Sequence, residues 1–331
     1  MRRLVAFAVK AAISAILLYF AMAGVNLAGI GERLRDLKIE WMIGALALSF
    51  AQVALLSARW QAIGRACAAS LSLGAAFQLS LIATFFNQVL PSTVGGDAMR
   101  IWLFTRKGAS WSQATYSVLL DRFVGVVALA ILVIACLPWT LALIQNPIGR
   151  TALLVIGLGS ISGALGFVGL GYLRAGWLQR WTITRHLTQM ALTARKVLFS
   201  ASIGGSVMTL SVAIHALTTA MAWCAAHAVD APLGFFQALQ LVPPVMLIAT
   251  IPISVAGWGV REKSLVLAFA YSGLSESDGL LVSLLLGATM FATGVVGGIV
   301  WLAWPNRMRT DQIAAREMQM TSDGSAGDTR R

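Results

Sequence analysis

Six ionisable residues fall within or beside apolar stretches of a chain that is 58% hydrophobic and only 11% charged: Asp97, Arg100, Asp121, Arg122, Arg261 and Glu262. Inserting such a group into hydrocarbon costs about 2.5–3.5 kcal/mol, so each needs a partner or a task. Their chemistry is that of anion handling. An arginine presents a planar fork that fits a phosphate through two hydrogen bonds. The acids can trim the positive charge, meet a cationic headgroup or carry a coupling proton. No nucleophile–base pair accompanies them, so no catalytic residue is assigned and an enzyme is not expected. Cys67, Cys136 and Cys224, like His186, His215 and His227, are too scattered for a metal site, and no metal is assigned. There is no phosphate-binding loop, and no cofactor is expected. A purely structural alternative stands beside this reading. Asp97 can cap a helix that starts after Gly96, and Arg100 can pair with it one turn on. Asp121 and Arg122 are adjacent, as are Arg261 and Glu262, so each pair points to different sides and must find partners elsewhere.

The elements that place these residues are two broken apolar stretches. The first runs Leu90-Pro91-Ser92-Thr93-Val94-Gly95-Gly96-Asp97-Ala98-Met99-Arg100, the second Ile251-Pro252-Ile253-Ser254-Val255-Ala256-Gly257-Trp258-Gly259-Val260-Arg261-Glu262. A shift of 161 positions lays Pro91 on Pro252, Val94 on Val255, Gly96 on Gly257 and Arg100 on Arg261. Proline and glycine end a helix there, and broken backbone is tolerated in lipid only where protein or a watery cavity covers it. Matched breaks in two halves of a chain point to a transporter's binding site. A new half-helix would start after each break, with free N–H groups and an arginine in its first turn. The two arginines are expected to share one buried pocket edged by Asp97 and Glu262, with the phosphate of a membrane lipid as the anion.

The fold class expected is an all-α polytopic membrane protein, with about six full transmembrane helices, two re-entrant broken-helix hairpins and an inverted repeat. Soluble domains carry about 25% charged residues, and the mean hydropathy here is +0.79. The spans expected are Leu4–Ala23, Trp41–Ser57, Ser112–Pro138, Thr151–Tyr172, Ile203–Val229 and Leu280–Trp304. The hairpins are Leu73–Lys107 and, less firmly bounded against two full crossings, the stretch from Phe235 to about residue 273. Residues 1–305 form the membrane domain, with halves at about 1–172 and 197–305. Residues 173–196 form a basic interfacial segment, and 306–331 a disordered tail. Net charge is +12, which membrane orientation explains without nucleic acid. With both termini cytoplasmic, Arg2, Arg3, Lys10, Arg59, Arg65, Arg106, Lys107, Arg174, Arg180, Arg185, Arg195, Lys196 and the tail arginines lie inside. Only Arg33, Arg35, Lys38 and Arg150 lie outside, a strong positive-inside bias. The cell's inner membrane is the expected location.

Pro91-x-x-x-Gly95-Gly96-Asp97-x-x-Arg100, then Asp121-Arg122, then Pro252-x-x-x-x-Gly257-x-Gly259-x-Arg261-Glu262 resembles the flippase-like, lysylphosphatidylglycerol synthase transmembrane-region family, over about Leu4 to Trp304. The resemblance implies a multi-helix domain that handles phospholipids or polyisoprenyl-type lipids. Well-known members of the family are fused to a soluble aminoacyl-transferase and move its lysyl-lipid product between leaflets. About 26 residues follow Pro305 here, so that transferase domain is expected to be absent and a separately encoded transferase becomes a candidate partner. The expected function is a translocator of an anionic or aminoacylated phospholipid, or of a related lipid-linked group. The alternatives are a membrane partner that delivers lipid to a transferase, and a lipid-modifying enzyme.

Overall fold

The computed structural model describes residues 27–90, 94–171, 182–251 and 257–303, with positions 16, 19, 21 and 22 before them. Most of the expected first span, both prolines of the breaks (Pro91 and Pro252), residues 172–181 and the tail lie outside the described residues. All regular structure among the described residues of 27–303 is helical: α1 Leu27–Arg35, α2 Ile39–Ala66, α3 Leu73–Val89, α4 Gly95–Arg106, α5 Trp111–Leu143, α6 Pro147–Leu170, α7 Thr182–Leu198, α8 Gly204–Ala228, α9 Phe235–Ala249, α10 Val260–Tyr271 and α11 Glu276–Leu302. Among the described residues, α2, α5, α6, α8 and α11 are long and apolar enough to cross a membrane.

Two spans run further than expected. Helix α2 does not stop at Ser57 but continues to Ala66, because Trp60, Ile63 and Gly64 carry the buried stripe of Ser49, Val53 and Ser57 onward at helical spacing. Helix α5 passes through Pro138 to Leu143. Proline removes one N–H from the ladder, but in lipid the cost of freeing every later backbone group favours continuing. Asn146 then stops the chain and starts α6, its side-chain oxygen accepting from the amides of Ile148 at 2.9 Å and Gly149 at 3.2 Å, with Pro147 in the first turn.

The short helices form two hairpins. Helices α3 and α4 have 17 and 12 residues, α9 and α10 have 15 and 12. At 1.5 Å per residue none exceeds about 26 Å, short of the ~30 Å hydrocarbon layer. The hairpins enter from opposite faces. On one face, the amide of Lys38 donates to the Ala228 carbonyl at 2.9 Å and that of Gln145 to the Tyr271 carbonyl at 3.3 Å. The open end of α9–α10 lies there. On the other face, Gln61 reaches the Leu71 carbonyl at 3.0 Å and Gln113 the Ala68 carbonyl at 2.9 Å, and α3–α4 opens there. The stretch from Phe235 to about residue 273 is therefore a hairpin and not two crossings.

The order of span, short helix, break, short helix and span occurs twice, as α2–α5 and as α8–α11. Packing follows the same exchange. Helix α2 lies on α8, α3 on α11 as α9 lies on α5, and α2 on α11 as α8 lies on α5. This is the pattern of a pseudo-two-fold axis relating two inverted halves. Gly294, Gly297 and Gly298 let α11 meet α3 at backbone distance, and a side chain at Gly297 would collide with the Leu81 carbonyl.

Candidate functional site

Gly96 is the hinge of the first site. Its amide donates to Asn87 Oδ1 on α3 at 2.9 Å, and a Cβ there would strike the Ala83 carbonyl, so only glycine lets α4 start this close to α3. Asp97 does not cap the new helix. The N-cap is Val94, with no side-chain bond. Asp97 instead accepts from Arg122 Nε of α5 at 2.5 Å and lies 3.6 Å from Arg100, the one-turn pair expected.

Asp121 holds the centre. Both terminal nitrogens of Arg100 donate to its Oδ2 at 3.0 Å, and Arg59 Nε donates to its Oδ1 at 2.8 Å. Arg59 also reaches Ser211 of α8 at 3.1 Å. It passes so close to Gly125 that a Cβ there would meet it at 3.2 Å. The guanidinium of Arg100 lies over the ring of Trp60 at 4.0 Å, and Trp60 Nε1 donates to Ser117 at 3.2 Å. Arg59, Asp97, Arg100 and Asp121 are all buried, while Arg122 has 44% of its side chain exposed. In this cluster three guanidiniums meet two carboxylates. Arg100 Nε is buried and makes no hydrogen bond among the described residues.

The second site has the same scaffold and different wiring. Gly257 and Gly259 have φ of +81° and +86°, the left-handed region where other residues strain, and they turn the chain into α10. Glu262 folds back to accept from the Gly259 amide at 2.6 Å. Its other oxygen accepts from Arg261, at 2.5 Å from Nη2 and 3.0 Å from Nε. The expectation that these two neighbours point apart and pair elsewhere is thus corrected: the long arginine curls back along the first turn of its own helix. Ser283 of α11 lies 3.3 Å from both, and Trp258 stacks at 5.0 Å. Arg100 reaches a residue 21 positions on and Arg261 one 22 positions on, so each reaches the following span from equivalent places.

Two further expectations change. The amides of Gly96 and Gly259 are not open to a ligand, because Asn87 and Glu262 occupy them. The two arginines sit in separate clusters, and no hydrogen bond or ion pair among the described residues joins these. A Cβ at Gly95 would strike the Leu90 side chain and the Phe86 carbonyl, so glycine serves the tight start of α4. Arg59 is the residue the sequence reading misplaced, as a surface marker of a cytoplasmic exit. The signal for it was the unbroken stripe on α2, which continues past Ser57.

The chain is a polytopic helical membrane protein with two inverted halves and a buried arginine–carboxylate cluster at the first broken hairpin. It belongs to the family described as Lysylphosphatidylglycerol synthase TM region, which matches residues 7–298 and so covers nearly the whole arrangement. That membership ties it to lipid handling. No curated protein matches the chain.

Proposed function

We propose that this protein moves a phosphate-bearing lipid between membrane leaflets and that the cluster around Arg100 seats the headgroup during passage. The observation that carries this reading is Arg100 itself, a buried guanidinium with its Nε hydrogen unpartnered at the root of a broken helix. A phosphate entering past the half-exposed Arg122 replaces Asp97 there and takes the free donor of Arg100. Asp97, released by Arg122, keeps Arg100 as its partner at 3.6 Å, so the three guanidiniums then face two carboxylates and one phosphate. Substrates in this reading are anionic or aminoacylated phospholipids and related lipid-linked groups. The sequence carries no phosphate-binding loop motif, and in this reading transfer is facilitated or ion-coupled. Arg65, Arg106, Lys107, Arg185, Arg195 and Lys196 gather near the face where the first hairpin opens, which supports a cytoplasmic orientation for that face under the positive-inside rule; in this reading the membrane is the cell's inner one.

The test uses purified protein in liposomes with a headgroup-labelled phosphatidylglycerol, scoring access of the label to an outside quencher. Arg100→Ala and the charge-keeping Arg100→Lys both abolish transfer, since an ammonium cannot reproduce the fork. Arg185→Ala, an exposed change on α7, leaves it intact. Wild-type transfer no faster than empty liposomes with every phospholipid tried, or full transfer by Arg100→Lys, refutes the proposal.

A further inference from the structure

Between α5, α6, α9 and α10, away from both charge clusters, lies a cavity of about 130 Å³. Its walls are mostly apolar, with Thr140, Gln240, Ser264 and Tyr271 as the polar side chains, and no carboxylate, lysine, arginine or histidine lines it. Gln240 of α9 does line it, is 5% exposed, and its side-chain amide makes no hydrogen bond among the described residues. The Gln240 amide is not one of the sealed, unpartnered polar atoms of the described residues; on the cavity wall it stands open to a ligand with a neutral hydrogen-bonding group inside an otherwise greasy body. The helix around it is opened too. Pro243 and Pro244, both inside α9, offer no N–H to the carbonyls of Leu239 and Gln240.

Depth identifies the group. Helix α9 starts at the membrane interface, where the exposed Phe235 and Phe236 meet Trp223 and Trp139 at 6.0 and 6.2 Å between ring centres, an aromatic belt. Gln240 is five residues further in, about 7.5 Å along the axis. The interfacial layer on each side of a bilayer is about 5–7 Å thick. The amide is therefore level with the boundary where the ester of a glycerolipid joins headgroup to tail. An apolar cavity of about 150 Å³ holds a six-carbon ring, so this one takes an ester and its first few methylenes.

We infer that this cavity is a seat for one acyl ester of a diacyl glycerolipid, with Gln240 Nε2 donating to the ester carbonyl. The inference rests on the lipid-translocator reading, to which it adds a tail subsite between the two halves of the chain. A polyisoprenyl chain has no carbonyl and fits the cavity without using the amide.

The experiment strips the purified protein of lipid, offers an equimolar mixture of diester phosphatidylglycerol and its diether analogue, and weighs the retained lipid by native mass spectrometry. A parallel tube offers a polyisoprenyl phosphate. Wild type retains the diester about tenfold over the diether, the worth of one hydrogen bond. Gln240→Met retains both alike, and Ala268→Phe, which fills the cavity, loses both. Lipid-free Gln240→Met melts no lower than wild type, because the amide it removes has no partner to lose. Equal retention of ester and ether by wild type, a preference that survives Gln240→Met, a lower lipid-free melting point for that variant, or displacement of the diester by polyisoprenyl phosphate each overturns the inference. Ester preference and transport are read separately. Transport lost in Arg100→Ala without any ester preference sinks the tail seat alone, and ester preference without transport sinks the translocator alone.

Discussion

Asp121 is the residue on which the first cluster turns, and replacing it with asparagine tests that arrangement. Its two oxygens receive three hydrogen bonds from Arg59 and Arg100, at 2.8, 3.0 and 3.0 Å, with all three side chains at most 5% exposed. Asparagine keeps the shape but turns an NH₂ toward one of the two guanidiniums. It leaves two buried cations without a counter-charge between them. Breaking a buried pair in this way costs about 3–5 kcal/mol, a fall in Tm of roughly 6–10 °C at about 2 °C per kcal/mol for a chain of this size. Asp97→Asn provides the comparison. Its closest partner, Arg122, keeps 44% of its side chain exposed and turns to solvent or headgroups when released, so the cost is about 1 kcal/mol and 2 °C. A third variant separates charge from packing. Adding Arg59→Met to Asp121→Asn removes one of the stranded cations, and the double variant recovers at least about 1 kcal/mol relative to the sum of the singles. Thermal melts followed by size-exclusion fluorescence in detergent read all four. Asp121→Asn melting within 2 °C of wild type, or Asp97→Asn falling further than Asp121→Asn, refutes the assignment of Asp121 as the node.

Three shorter predictions follow from the same packing. Gly297→Ala pushes α11 off the Leu81 carbonyl of α3 and costs about 1–3 kcal/mol in the same melts, whereas Gly159→Ala, with nothing within 4 Å, is neutral or slightly stabilising. Gly287→Ala drives a Cβ into Arg261 and loosens its hold on Glu262, so deuterium uptake at residues 257–263 rises while uptake at 95–106 does not. Burial pushes the Cys67 thiol up to about 11, so it labels slowly with maleimide at pH 7.5. An Arg185→Cys label then reports from the cytoplasmic side alone, and labelling from outside reverses the orientation.

The sequence disclosed most of what makes this fold. Gly at matched offsets located both new helix starts, and the arginine expected in the first turn is there for Arg261, whereas α4 begins at Gly95 and puts Arg100 in its second turn. Helix ends were harder. Ser57 and Pro138 read as stops on local grounds, yet both helices continue, because the buried stripe of α2 and the ladder of α5 extend past them. The wiring of charges was harder still. Asp121 and Arg122 do find partners on other elements, as adjacency demands. Arg261 and Glu262 break the same rule, because a helix start lets a third-position carboxylate turn back to the Gly259 amide, where the flexible arginine reaches it. Nothing local marks Arg59 as the second clasp on Asp121. That depends on where α2 crosses α5, which is a property of the packing.

The two halves share a backbone plan but differ in how a moving hairpin would affect its arginine. Arg261 carries its carboxylate on the next residue of the same helix, so α10 can shift against α11 and keep that charge pair, giving up the polar contacts of Arg261 to Ser283 and Met290. Arg100 has its nearest counter-charge, Asp121, on α5, and Asp97 of its own helix is committed to Arg122 of α5. Any displacement of α4 from α5 therefore separates the buried Arg100–Asp121 pair, at several kcal/mol, and the half-exposed Arg122 from Asp97 at about 1 kcal/mol. On the reading proposed above, a lipid phosphate is the agent that lowers that cost, because it supplies the displaced guanidiniums with the anion they lose. On that reading the asymmetry puts the substrate-dependent step at the first hairpin. On the same reading the second hairpin, with its self-neutralised charge, is the one that can rearrange without a headgroup in place.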